Sequence, residues 1–515
     1  MSQHDGLNRR TFLRNAGMTA LVGAVAPGTS LTGVAAGAVF GAAADTGKYD
    51  FDTPYNRLGT DSVKWDQALR QNEMGTIVAG MGIADMDFRC APVITKALQE
   101  RIQHENWGYL DIPKSFTDGI VAWNKKRYGI DVNPESVVIT TGVHPGLIAA
   151  IKAFCPTGSK VLLTTPTYNG FYGDLRFTGT KPEESLMKYV DGRFQIDFDD
   201  FERRISMDTN AFILCNPQNP TGNAWSPDDL MRIGEICLRK RVIVLADEIH
   251  CDFVTKGNKY TPFATLPNKA VVNNSITFKA ASKSFGLAAM KCAWFFSDNM
   301  DYINRVKAQN RADLSTLGMI ASKAAYAGGE DWLNQCVDYI DGNHDFTQKF
   351  IKANMPLVKV GAKPQGTYLT WLDLSEVAAR IDAKGMAAAE AGKTRNGNPP
   401  SPEAMLVKWF AKNAKVALNA GDTYGKGGDN HVRMNIATSR KTLEAALTSM
   451  ARARRAQEDV DVGAVGRIRW QREPFRVREE LRRAAVALAK AVRRATRKAT
   501  RRGPTVDPFR VYKRR

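Results

Sequence analysis

Five short clusters in the sequence hold residue types that together could bind an aldehyde cofactor and move a proton. Ala281-Ser282-Lys283-Ser284-Phe285-Gly286 carries a lysine among apolar neighbours, and such an amine can form an imine with an aldehyde. Asp247, in Asp247-Glu248-Ile249-His250, is a carboxylate able to hold a pyridine nitrogen protonated. Tyr168, in Thr165-Pro166-Thr167-Tyr168, offers a flat face for stacking. Asn219, in Asn216-Pro217-Gln218-Asn219-Pro220-Thr221-Gly222, and His250 offer hydrogen bonds to a ring oxygen. The turn Gly142-Val143-His144, leading into a helix-like run from Leu147, offers a phosphate the N–H groups of a helix N-terminus. Together these describe pyridoxal phosphate held on Lys283, in an enzyme acting on an amino acid. His250 reads equally well as a core histidine, and the backbone of His144 could matter more than its ring.

The positions of these clusters follow from the elements that precede them. Short apolar, β-branched runs at 136–140, 160–163, 211–215, 242–246 and 275–278 each end where a cluster begins. They are continuous rather than alternating, as expected of strands buried on both faces of a parallel sheet. Amphipathic stretches such as 227–239 lie between them, so the chain predicts an α/β, doubly wound sheet. In such sheets ligands bind outside the carboxyl ends of the strands, which is where all five clusters fall.

This ordered set resembles the aspartate-aminotransferase-like family of pyridoxal-phosphate fold type I over roughly residues 50–453. Within it the chain looks most like the MalY/PatB-like cystathionine β-lyases. That closer match rests on Thr60-Asp61-Ser62-Val63-Lys64-Trp65-Asp66, Ile83-Ala84-Asp85-Met86-Asp87-Phe88, Asp247-Glu248-Ile249-His250 and Gly366-Thr367-Tyr368-Leu369-Thr370-Trp371-Leu372-Asp373. The resemblance implies a mostly parallel seven-stranded sheet in a large three-layer domain (91–340). A smaller α/β domain (341–453) would be joined by the N-terminal segment 45–90. It also implies that Arg433, in His431-Val432-Arg433-Met434-Asn435, binds the substrate carboxylate, and an arginine fork matches a carboxylate bidentately. Ala84 would line the substrate pocket, and Ser282 and Lys291 would join the phosphate cup. Tyr109 would reach the phosphate of a neighbouring subunit, making a homodimer with shared active sites. The implied reaction cleaves cystathionine or a cysteine S-conjugate to thiol, pyruvate and ammonia. Transamination shares every step as far as the carbanion. Three positions depart from the family pattern: Ala280 in place of serine, Lys291 in place of arginine, and Gly82 in place of tryptophan.

The formal net charge of +19 is concentrated in the tail. Residues 451–515 hold 21 Lys+Arg against 7 Asp+Glu, which leaves the preceding 450 residues near neutral. Nothing in the charge of the body points to nucleic acid or membrane. The tail, 454–515, reads first as a disordered extension and second as a basic amphipathic helix over 479–502 able to meet an anionic membrane or nucleic acid. Seven scattered cysteines and six histidines show no metal-ligand spacing, so free thiols and no metal site are expected. Residues 1–44 combine Asn8-Arg9-Arg10-Thr11-Phe12-Leu13-Arg14, a weakly apolar Ala/Gly/Val stretch and Ala42-Ala43-Ala44. They resemble a twin-arginine export signal, which predicts a periplasmic or exported enzyme.

Overall fold

The structure, a computed structural model, describes residues 47–392 and 399–453. The export-signal and basic-tail segments therefore lie outside the described residues. Seven strands form the main sheet: β1 (Val138–Thr140), β2 (Lys160–Thr165), β3 (Lys181–Leu186), β4 (Thr209–Cys215), β5 (Ile243–Asp247), β6 (Ser275–Lys279) and β7 (Ala293–Phe296). Their order is β1-β7-β6-β5-β4-β2-β3. All run parallel except β7, which is antiparallel to both its neighbours.

Alternate strand residues enter two separate cores, which makes the sheet the middle of three layers. Val161, Leu163, Ile213, Ile243 and Leu245 pack with Leu147, Ala150 and Ile151 of helix α1 (Val143–Phe154) and with Phe171 and Leu175 of α2 (Gly170–Thr178). Leu162, Phe212, Leu214 and Val244 pack on the opposite face with Leu230, Ile233 and Ile236 of α3 (Pro227–Arg239). Helix α3 starts where the sequence dictates. Pro227 occupies the first turn, and Ser226 and Asp229 complete a capping box.

A second, antiparallel sheet has the order β8-β9-β11-β10, formed by β8 (Lys359–Val360), β9 (Leu369–Asp373), β10 (Asn419–Ala420) and β11 (His431–Asn435). The N-terminal segment meets this sheet's neighbourhood through the parallel pairing of Ala79–Gly80 with Val416–Ala417. That segment locks itself with charge. Asp66 accepts backbone N–H bonds from Gly59, Thr60 and Ser62 at 2.9–3.0 Å. The buried Lys64 donates to Asp87 at 2.7 Å and to the Asp85 carbonyl at 2.8 Å, and Trp65 Nε1 donates to Asp87 at 2.9 Å. Two of the motifs behind the family resemblance thus interlock, and together they hold Ala84 in front of Lys283.

Two features differ from the sequence expectation. Helix α1 begins at Val143, so Val143 and His144 form its first turn rather than a turn ahead of it. Strands β3 and β7 have no counterpart among the predicted runs. Strand β3 is an edge strand with exposed lysine and proline, and β7 is only four residues long.

Candidate active site

Each of the five strand-end clusters arrives at the same edge of the sheet. Asp247 is the last residue of β5 and is buried. Burial pushes its carboxyl up to about 6, against the Ile249 N–H that donates to its Oδ1 at 3.1 Å and the nearby charges of His144 and Lys283. Lys283 lies in α4 (Ala281–Ser284), the short helix that follows β6, and Ser282 shares that turn. Its Nζ donates to the Ala84 carbonyl at 2.8 Å, and the same oxygen accepts the Tyr368 hydroxyl at 3.1 Å. Burial and then the Arg433 charge bring the lysine down to about 8, while Asp85 and Asp247 oppose the change. An amine so tuned is neutral often enough near physiological pH to act as nucleophile and base.

Arg433, on β11, is buried beside this amine. Its Nη1 donates to Asn219 Oδ1 at 3.1 Å and its Nη2 to the Gly82 carbonyl at 2.7 Å. The guanidinium carbon stands 5.2 Å from the centroid of the Tyr424 ring, and Tyr424 in turn receives a 3.2 Å bond from Asn419. Gly82 sits in close packing: a Cβ there would lie 2.7 Å from Asn419 Oδ1 and 3.1 Å from the Leu418 backbone. A side chain at this position would press on the Leu418 backbone and displace the Asn419 amide.

At the other end of the cluster, Gly142 caps α1, and Val143 and His144 occupy its first turn. His144 Nδ1 pairs with Asp174 Oδ2 at 2.6 Å, and its Nε2 meets the Tyr168 hydroxyl at 3.2 Å. Burial raises Tyr168 to about 12, so it stays a phenol. Residue 170 must be glycine here, because a Cβ would sit 2.5 Å from His144 Cε1 and 2.6 Å from Tyr168 Cε1. His250 is buried, with its Nδ1 lacking a partner among the described residues. Burial, then the charges of Lys283 and Arg433, hold it well below the usual histidine range, so it is neutral.

Two of the residues singled out from sequence are exposed. Tyr109 is fully exposed. Lys291 is exposed, with a left-handed backbone (φ 53°), and its charge acts on the Lys283 amine. Tyr424 and Asp174 were not singled out from sequence. Asp174 could have been found as a lone acid on the buried face of a helix. Among the described residues no group of histidine, cysteine and acidic side chains could hold a metal ion, and six of the seven cysteines are buried free thiols. No described helix is long and apolar enough to cross a membrane.

Residues 76–450 match the family of class I and II aminotransferases. The chain belongs to this family. It is 35% identical to cystathionine beta-lyase PatB of Bacillus subtilis over 405 residues, covering 77% of this chain and 98% of that protein. Among solved structures it is similar to cystalysin of Treponema denticola, which contains pyridoxal 5'-phosphate, with a TM-score of 0.72 and 26% identity over 79% of this chain and 99% of that one. It is similar also to the pyridoxal-phosphate-bound C–S lyase of Staphylococcus hominis, with a TM-score of 0.70 and 28% identity over 79% and 98% of the two chains. The seven-stranded sheet is the fold type I sheet of this family, as the sequence led one to expect.

The donor set fits the cofactor of the class I and II aminotransferases. It supplies a buried amine, a buried carboxyl at a strand end, a helix N-terminus, and two buried nitrogens with no partner among the described residues, His250 Nδ1 and Arg433 Nε.

Proposed function

We propose that this chain is a pyridoxal-phosphate-dependent C–S β-lyase that converts cystathionine or a cysteine S-conjugate, with water, to a thiol, pyruvate and ammonia. The observation that carries the reading is the buried Lys283 amine, brought down to about 8 and flanked by Asp247 and Arg433. The likeness to a cystathionine beta-lyase over nearly that protein's whole length selects the reaction within the family.

Lys283 would hold pyridoxal phosphate, Asp247 its ring nitrogen, Tyr168 its ring face, and Asn219 and His250 its 3-oxygen. The backbone N–H groups of Gly142, Val143 and His144, with Ser282 and Lys291, would surround its phosphate. When bound, the cofactor supplies an electron sink for charge developing at the substrate's Cα. The residues of this chain do the rest. Arg433 meets the substrate carboxylate with its fork, and Asn219 and the Gly82 carbonyl hold that fork in plane. The Ala84 carbonyl aims the Lys283 amine, and the Tyr368 hydroxyl fixes that carbonyl. Once neutral, Lys283 Nζ takes the α-proton. Asp247 must be ionised to keep a ring nitrogen protonated, and above about pH 6 it is.

The Lys283→Ala variant tests this assignment. It should lose the visible absorbance of lysine-bound cofactor together with pyruvate formation. Retention of both would refute the role of Lys283.

Two further parts of the reading concern assembly and address. The exposed Trp107, Tyr109 and Ile112 support a homodimer in which Tyr109 completes the partner's site. Sedimentation of Tyr109→Ala together with its cofactor affinity would test this, and a wild-type monomer would refute it. Asn8-Arg9-Arg10-Thr11-Phe12-Leu13 supports export by the twin-arginine route. Retention of an Arg9→Lys/Arg10→Lys variant in the cytoplasm, with wild type exported, is the expected result.

A further inference from the structure

We propose that His144, gripped by Asp174, is a positioning residue for Tyr168, and that the charge state of its imidazole sets which way the Tyr168 hydroxyl hydrogen points. The inference rests on the cofactor reading above and goes beyond it.

A carboxylate accepts hydrogen bonds and cannot donate them, so the 2.6 Å contact with Asp174 Oδ2 fixes a proton on His144 Nδ1. Only Nε2 is then free to change. In the neutral ring Nε2 is an acceptor, and the Tyr168 hydroxyl, 3.2 Å away, must donate to it. In the imidazolium Nε2 donates instead, the phenol oxygen accepts, and the phenol hydrogen is released to turn elsewhere in the site. A single proton thus reverses one hydrogen bond.

The surroundings are built for this contact. Asp174 is buried on α2 and its carboxylate reaches the first turn of α1. Gly170, one helical turn earlier on α2, leaves the space that the imidazole and phenol rings occupy, their centroids 5.4 Å apart. The groups acting on His144 come from every neighbouring element: Asp174 from α2, Asp247 from the end of β5, Lys283 from α4, and the Tyr168 phenol from the loop after β2. Burial and the Lys283 charge favour the neutral ring. The Asp174 hydrogen bond and the two carboxylate charges outweigh them and raise His144 above its ordinary value. The imidazolium is therefore kept to higher pH than in an ordinary histidine, and the Tyr168 hydrogen is captured by His144 as the pH rises through the raised midpoint.

The test uses the holoenzyme. Imidazole resonances of labelled histidine report the titration of His144, and visible absorbance reports cofactor binding. Asp174→Asn should lower the His144 midpoint by about one unit or more, since it removes the charged partner. His144→Gln, at a half-exposed position that does not endanger folding, should weaken cofactor binding by about tenfold, the scale of one charge-assisted hydrogen bond. The same change made in a Tyr168→Phe background should weaken it no further, because the hydroxyl through which His144 acts is gone. Additive effects of His144→Gln and Tyr168→Phe would overturn the inference while leaving the cofactor reading intact. So would a His144 midpoint indifferent to Asp174. Failure of the wild-type protein to take up cofactor would overturn the cofactor reading itself, and this inference with it.

Discussion

Replacing Asp247 with asparagine should make the cofactor-free protein more stable and the site useless. The carboxyl is buried at the end of β5 and pushed up from its ordinary 3.8 to about 6. The sign follows from that direction. The folded protein resists ionising this group, so its contribution to stability is complete below the unfolded value and declines as pH rises through about 6. A shift of about two units corresponds to about 3 kcal/mol, at 1.36 kcal/mol per unit. Asparagine keeps the Oδ1 that accepts the 3.1 Å bond from Ile249 N and carries no charge to bury. Urea unfolding of wild type and Asp247→Asn without cofactor, followed from pH 4 to pH 8, should show the curves converging at acid pH. At pH 8 the variant should lead by about 2–3 kcal/mol. The same variant should bind cofactor poorly, because no carboxylate remains for a protonated ring nitrogen. A variant less stable than wild type at pH 8, or a difference that does not change with pH, would refute the reasoning. The stability lost at Asp247 is then the cost of having a carboxylate in place before the cofactor arrives.

Other consequences follow from the same geometry. Arg433→Lys keeps the charge but loses the fork that bonds Asn219 and Gly82 at once, so KM for an amino-acid substrate should rise about 10- to 100-fold with a smaller change in kcat. Lys64→Met leaves Asp87 with one cationic partner fewer in a buried network. Unfolding should become easier by about 3 kcal/mol, the low end for a broken buried pair, because Arg57 and Trp65 still donate to Asp87. Calorimetry would show it as a lowered Tm, and an unchanged Tm would show the network to be dispensable.

The strand-end clusters were legible because buried parallel strands appear as unbroken apolar runs, so the polar residues after β1, β2, β4, β5 and β6 marked their carboxyl ends. Strand β3 was not legible. It reads Lys181-Pro182-Glu183-Glu184-Ser185-Leu186, and its partner is β2 on one side only. An edge strand need not be apolar, and charge there guards against further pairing. The support around the site was legible only in part. Asn219 and Arg433 lie 214 residues apart in sequence, and only the return of β11 beside the loop after β4 brings them to 3.1 Å. Tyr424 and Asn419 escaped for the same reason: they act on Arg433 from a loop and strand whose approach no local pattern encodes. Gly82 stood out as a departure in the sequence, but its physical reason, the Leu418–Asn419 backbone and side chain against it, exists only in the folded chain.

Pyruvate release tests the central claim most directly. Purified holoenzyme is incubated with cystathionine in the absence of any keto acid, and pyruvate and free thiol are measured together. A lyase forms both in equal amounts with no acceptor present, and that is the expected result. Product that appears only when a keto acid is added would identify an aminotransferase and contradict the account.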